Sequence, residues 1–262
     1  GEKWAKLTGG VPTISFRDLA IQRRENDLVG ASFGRSFYIL DDYSALRQVS
    51  EAQLKDEATL FPVRKAWWYK ERATLGGKKG SQGAQYFTAP NPPFGAVFTY
   101  YIGEEYKTLA EKRKEKEKAL NKENEDIPFP GWEQLDREEL QEKPKMLLTV
   151  KDTDGNVVRK IEGPAKKGFH RVSWNLKTAS KRAINPENSN PGNQPDGFMV
   201  VPGKYTVTLS KQIDGVVTKL SEPIEFDVEV LRKGALEGAG PDKVVAFWEA
   251  LEEMQRKMSA VS

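Results

Sequence analysis

Cysteine is absent from the 262 residues. That removes disulfides, thiol catalysis and cysteine-based zinc sites together. The single histidine, His170, excludes a paired-histidine metal site. No apolar run approaches the ~20 residues a membrane helix needs, and no basic-then-apolar signal pattern opens the chain. An excess of one charge is also missing: 41 basic side chains stand against 38 acidic ones. A nucleic-acid footprint needs clustered Lys and Arg without interleaved acid. The densest basic stretch here is full of Glu, so no nucleic-acid partner and no membrane span are expected. With 22 Gly and 15 Pro, collagen and low-complexity readings fall away.

What is present points to a folded chain. Twelve Phe, eight Tyr and six Trp are too many for a disordered one. The length suits one large domain or two ordinary ones. Residues 1–50 read as short β-segments closed by polar turns, among them 16–21, 28–33 and 36–40, which suggests antiparallel structure. A strand-like stretch at 61–69 leads to the loop with Gly76, Gly77, Gly80 and Gly83, then to Ala89-Pro90-Asn91-Pro92-Pro93. Residues 96–102 form a plain β run.

Residues 103–126 differ. Eight acids and seven bases crowd 24 positions, and opposite charges three and four apart, such as Arg113 and Glu117, support a solvated helix. Ile127-Pro128-Phe129-Pro130-Gly131-Trp132 breaks it, and a second short helix follows at about 134–142. The stretch reads as a charged helical hairpin inserted between two strands. From 145 the β texture returns. Strands at 146–151 and 157–161 flank an Asp-Gly turn at Asp154-Gly155, the strongest short-range hairpin signal. Strands at 168–176, 203–211 and 216–230 complete a sandwich pattern, interrupted by a loop at 178–199. Gly240-Pro241 then opens a helix. Val244, Phe247, Trp248, Leu251, Met254 and Met258 recur on it at three-and-four spacing, as one apolar face.

Few residues suggest chemistry. Asp152-Thr153-Asp154-Gly155-Asn156 opens like a calcium loop, but such a loop needs Gly at position 6 and a bidentate Glu at 12. Gly155 and Gly163 stand at 4 and 12, so a turn is expected. His170 has no local partner for general-base work. Asp41 and Asp42, adjacent in a strand end, point to opposite faces and read as turn residues. The Gly-rich loop carries no P-loop pattern. Trp67, Trp68 and Tyr86 could form a stacking platform for a sugar, the alternative being a packed core or interface. No catalytic residue, metal site or cofactor emerges.

Gly1-Glu2-Lys3-Trp4 is similar to the end of an Asp-box turn. Leu7-Thr8-Gly9-Gly10-Val11-Pro12, Arg17-Asp18-Leu19-Ala20-Ile21, Asp27-Leu28-Val29-Gly30 and Gly34-Arg35-Ser36-Phe37-Tyr38-Ile39-Leu40-Asp41-Asp42 resemble the final blade of sortilin-like BNR propellers. Such propellers occur in large secreted bacterial proteins often labelled glycosyl hydrolases. Asn91-Pro92-Pro93-Phe94-Gly95-Ala96 resembles the segment leaving that propeller. Gly155-Asn156-Val157-Val158-Arg159, Gly168-Phe169-His170-Arg171-Val172-Ser173-Trp174-Asn175 and Pro202-Gly203-Lys204-Tyr205 look like the Ig-like domain of flagellar hook-capping proteins.

The resemblance implies a mainly β chain in three parts. Residues 1–60 would be a last propeller blade. Residues 61–232 would be an Ig-like antiparallel β-sandwich with the helical hairpin inserted at about 103–142, and residues 233–262 a C-terminal amphipathic helix. One blade cannot bury both faces of its sheet, and stacked neighbours must do so. The chain therefore reads as the C-terminal part of a longer exported protein, extracellular or periplasmic, whether engineered, proteolysed or naturally split. Its expected role is a non-catalytic interaction module that packs on and stabilises the propeller. The remaining blades, in cis or as a separate chain, are the expected partner, with a glycan or a secreted protein as others. Two alternatives stand beside this. One is carbohydrate binding through Trp67, Trp68 and Tyr86. The other is a glycoside hydrolase or peptidase whose site lies in further blades, to which Arg35 and Asp18 would contribute.

Overall fold

The computed structural model describes residues 6, 10, 13–71, 89–181, 195–232, 234 and 237–259. The fold is mainly β, with 37% strand and 22% helix. It divides into two compact units, Gly1–Val49 and Ser50–Ser262.

The first unit is a three-stranded antiparallel meander of β1 (Phe16–Gln22), β2 (Asp27–Ser32) and β3 (Phe37–Leu40). Asn26, at φ 57°, makes the first turn, a backbone region that Asn tolerates better than most residues. Strand alternation puts Leu19 beside Gly30 and Tyr38, and Ile21 beside Leu28 and Leu40, on one face. Ala20, Val29 and Ile39 share the other face with Ala31 and Phe37. Gly30 makes room for Phe16: a β-carbon there would lie 2.7 Å from its ring. A short 3-10 helix, Tyr43–Arg47, closes the unit, and Asp42 caps it by accepting from the Ser44 amide.

The second unit begins at Ser50. Its first strand, β4 (Ala58–Leu60), pairs with β6 (Ala96–Ile102). The stretch read as one strand at 61–69 is split. Pro62, which has no amide hydrogen to offer a ladder, follows β4, and only β5 (Ala66–Trp68) re-enters a sheet. The rest of the unit comprises β7 (Lys145–Lys151), β8 (Val157–Gly163), β9 (Gly168–Trp174), β10 (Lys177–Ala179), β11 (Asp196–Met199), β12 (Gly203–Ile213), β13 (Val216–Lys219) and β14 (Ile224–Val230). The expected strand at 216–230 is broken around Pro223 into β13 and β14. One sheet runs β5-β14-β12-β7-β8, with β13 also on β12; another runs β4-β6-β9; β10 and β11 form a ribbon. Among the described residues, every pairing is antiparallel except β5 with β14.

Alternation explains how the two larger sheets meet. In β6, Ala96, Phe98, Tyr100 and Ile102 are buried and their neighbours half-buried. Met146, Leu148 and Val150 of β7 face them, with Tyr205, Val207 and Leu209 of β12 and Phe226 and Val228 of β14, in one cluster. This is a β-sandwich core. Trp174 crosses between the sheets, with its ring 5.5 Å from Tyr205 and 6.2 Å from Phe226. The polar ends of these buried aromatics are satisfied. Trp174 Nε1 donates to the Lys177 carbonyl at 2.8 Å and Tyr205 Oη to that of Val201 at 2.6 Å. Burial pushes the Tyr205 phenol up to about 12.

The charged stretch is a helical hairpin between β6 and β7, formed by α1 (Leu109–Lys122) and α2 (Trp132–Leu140). Thr108 opens α1 with a reciprocal capping box to Glu111. Neither helix buries a residue. They are joined instead by Arg113, which donates to Glu138 at 2.9 and 3.0 Å and to Glu117 at 2.6 Å. Those donors hold the Glu138 carboxyl below its usual range. The last described element is α3 (Pro241–Ser259), which also buries no residue.

Two predictions follow from this packing. Gly95 has φ 99°, and a β-carbon there would lie 1.9 Å from the Trp174 carbonyl oxygen. Gly95→Ala should therefore cost about 3 kcal/mol in denaturant unfolding. Gly203→Ala, where nothing lies within 4 Å, should shift stability by less than about 1 kcal/mol. The hairpin's two ends are adjacent, since the Leu109 amide donates to Gln141 Oε1 at 2.6 Å. Replacing residues 109–140 by a short Gly-Ser linker should leave the melting temperature of the sandwich within a few degrees, measured by calorimetry.

Candidate functional site

A cleft of about 860 Å³ opens in the second unit between one end of the sandwich and α3. The sandwich wall is aromatic. Trp68 ends β5, Tyr69 follows it, Phe94 precedes β6, and Phe198 lies on β11. Tyr69 and Phe94 meet edge to face, with ring centroids 4.9 Å apart. Trp68 is fixed by its indole: Nε1 donates to the Val200 carbonyl at 2.8 Å. The opposite wall is one side of α3, where Pro241, Val244, Val245 and Trp248 give way to Glu252 and Gln255. Their spacing of three, four and seven residues is that of a single helix face.

The apolar face read from the sequence meets the cleft along one edge. Val244 and Trp248 line the cleft, at 42% and 44% exposure, while Phe247, Met254 and Met258, farther round the same face, are 65%, 53% and 64% exposed.

The polar side of the cleft is built around Asp196. Its carboxylate accepts from Asn175 at 2.8 Å and Lys177 at 3.3 Å and pairs with Arg159 at 3.2 Å. Burial would raise this carboxyl, but those donors and charges hold it below its ordinary value. A different carboxylate, Glu252, has one buried oxygen with no hydrogen-bond partner among the described residues.

The sequence-predicted residues are not gathered in one place. Trp68 is in the cleft. Trp67, its neighbour on β5, points to the other face, where Lys65 Nζ sits 5.1 Å from its ring centroid. Trp67 and Trp68 therefore do not form one stacking platform, and Tyr86 lies outside the described residues. Arg35 is exposed in the turn between β2 and β3 of the first unit. Asp18 is exposed on β1, where it accepts from the Leu19 amide at 2.9 Å. His170 Nε2 lies 2.6 Å from the Lys166 carbonyl, a contact that requires the proton on that nitrogen. Asp152 holds its turn, accepting from the amides of Asp154 and Asn156 at 3.0 and 2.8 Å.

Sequence reasoning missed Phe94, Trp248, Asp196 and Glu252. For Trp248 and Glu252 a signal existed. They are four apart on one helix face, so a carboxylate interrupts an apolar stripe.

An aromatic-walled cleft with a few converging polar groups is suited to recognition. The depressed Asp196 carboxyl gives its floor a pH dependence. The stabilisation is complete above the ordinary value of 3.8 and is lost as pH falls through the lower folded value. Asp196→Asn should therefore lower the melting temperature at pH 6, and the difference from wild type should shrink as the pH falls below 3.8. Compared with protein-family models, with curated proteins and with solved structures, the chain matches none.

Proposed function

We propose that this chain is a non-catalytic structural and interaction module whose first unit is a blade-like sheet packed between further β-sheets. The observation that carries the reading is apolar exposure on both faces of the β1-β2-β3 sheet. Leu19 and Ile21 on one face are 62% and 54% exposed, and Phe37 and Ile39 on the other 69% and 60%. A sheet solvated on one side alternates apolar with polar residues, whereas one apolar on both sides is made to be covered twice. Contiguous exposed apolar surface marks an interaction site.

The partner that fits is another β-sheet on each side, as in a propeller. This agrees with the resemblance of residues 1–42 to a terminal BNR blade. On this reading the other blades are supplied in cis or by a separate chain, outside the cell or in the periplasm, and the sandwich presents or braces them.

Light scattering and calorimetry on the chain alone test this. Self-association at micromolar concentration is expected. The double substitution Phe37→Ser, Ile39→Ser should make the chain monomeric without moving the sandwich transition. A monomeric wild type whose melting those substitutions lower would overturn the reading, because the faces would then be covered within the chain. So would a monomer that the substitutions leave unchanged, because faces that tolerate water need no cover.

A further inference from the structure

We infer that the cleft between the sandwich and α3 is a binding site for an organic cation, an alkylammonium or guanidinium group. The inference is independent of the blade-like sheet. It rests on the meeting of two features in one cleft.

The first is an uncompensated acid. Asp196 and Lys177 answer one another, with Arg159 and Asn175 completing the group. Glu252 and Glu71 line the same cleft and make no ion pair among the described residues, and one Glu252 oxygen is buried without a hydrogen-bond donor. Lys70, the remaining cation of the cleft, is exposed and pairs with neither. A carboxylate oxygen removed from water is unfavourable until a donor reaches it, and a charged donor makes the stronger bond.

The second feature is the walls. Trp68 and Trp248 line opposite sides of the cleft, and Tyr69 and Phe94 extend the sandwich wall. Indole faces carry negative potential and attract ammonium and guanidinium groups, more strongly when water is excluded. A neutral sugar would use the rings but leave the negative charge unanswered. An anion would oppose it. A cation answers both, with its charge and N–H donors at Glu252 and its face or methylenes on the indoles.

Such a cation has two sources: a free small molecule, or a Lys or Arg side chain of a polypeptide. Titrations of the whole chain followed by tryptophan fluorescence separate them. The probes are n-butylammonium, N-acetyl-arginine amide, the peptide Gly-Gly-Arg-Gly-Gly amide, its citrulline counterpart and maltose. Saturable changes with the cations, and none with citrulline peptide or maltose, are expected. Tighter binding of the arginine peptide than of the free amide assigns the site to a polypeptide side chain, and equal binding assigns it to a small molecule. Glu252→Gln should weaken cation binding about tenfold or more, and Trp248→Leu should weaken it while leaving the sandwich melting transition in place. A response to maltose without one to the cations would overturn the inference in favour of a glycan site. No response to any probe would also overturn it. So would a change in melting temperature in Glu252→Gln with cation binding unaltered, which would make the carboxylate purely structural.

Discussion

The larger unit depends on one close approach of backbone to backbone. At Gly95 the chain enters β6 with so little room that a β-carbon would sit 1.9 Å from the Trp174 carbonyl oxygen. Ala96 then pairs with Trp174, and the β6–β9 ladder is set from that point. Trp174 carries the constraint into the opposite sheet, because its ring packs on Tyr205 of β12 and Phe226 of β14. The glycine thus positions the indole that joins the two layers, and the layers enclose a core in which Phe98, Tyr100, Leu148 and Val207 are fully buried. Interiors packed to this density transmit small displacements rather than absorb them.

The same approach sets the floor of the cleft. Phe94 immediately precedes Gly95, and Asn175 immediately follows Trp174. Both line the cleft. Trp68 arrives by a different route, on the one strand that pairs in parallel, β5 beside β14. Its ring is then fixed by the bond from its indole to Val200. One wall therefore belongs to the rigid end of the sandwich. The other belongs to α3, in which no residue is buried as a whole. A recognition site with one preorganised side and one lightly held side can adjust to a ligand by moving the helix without disturbing the core.

Much of the β architecture was legible from composition and turns. The 96–102 run showed in its aromatic and β-branched residues, the hairpin after 151 in its Asp-Gly turn, and the strands at 146, 168 and 203 in their regular spacing. The charged hairpin was legible too, since alternating charge without an apolar stripe describes helices that bury nothing. Continuity was harder to read. The stretch at 61–69 has uniform β texture yet serves two sheets, because Phe61 is buried against Phe169 while Pro62 interrupts the ladder. The cleft was least legible. Its residues come from β5, the approach to β6, β11 and α3, so their meeting is a tertiary fact with no local pattern. Trp67 and Trp68 were paired by adjacency, and strand alternation separated them.

Several polar side chains among the described residues hold local structure. The His170 ring meets the Lys166 carbonyl. Asp42 caps a helix and accepts from Ser44. Asp152 accepts from the amides of its own turn, and Asp196 is taken up by three donors. Glu252 differs, because one of its oxygens is buried without a partner among the described residues, in a cleft lined by aromatic side chains. A carboxylate in that setting gains free energy from any donor that reaches it. The exposed apolar faces of the first sheet draw on a different force, since covering them would gain free energy.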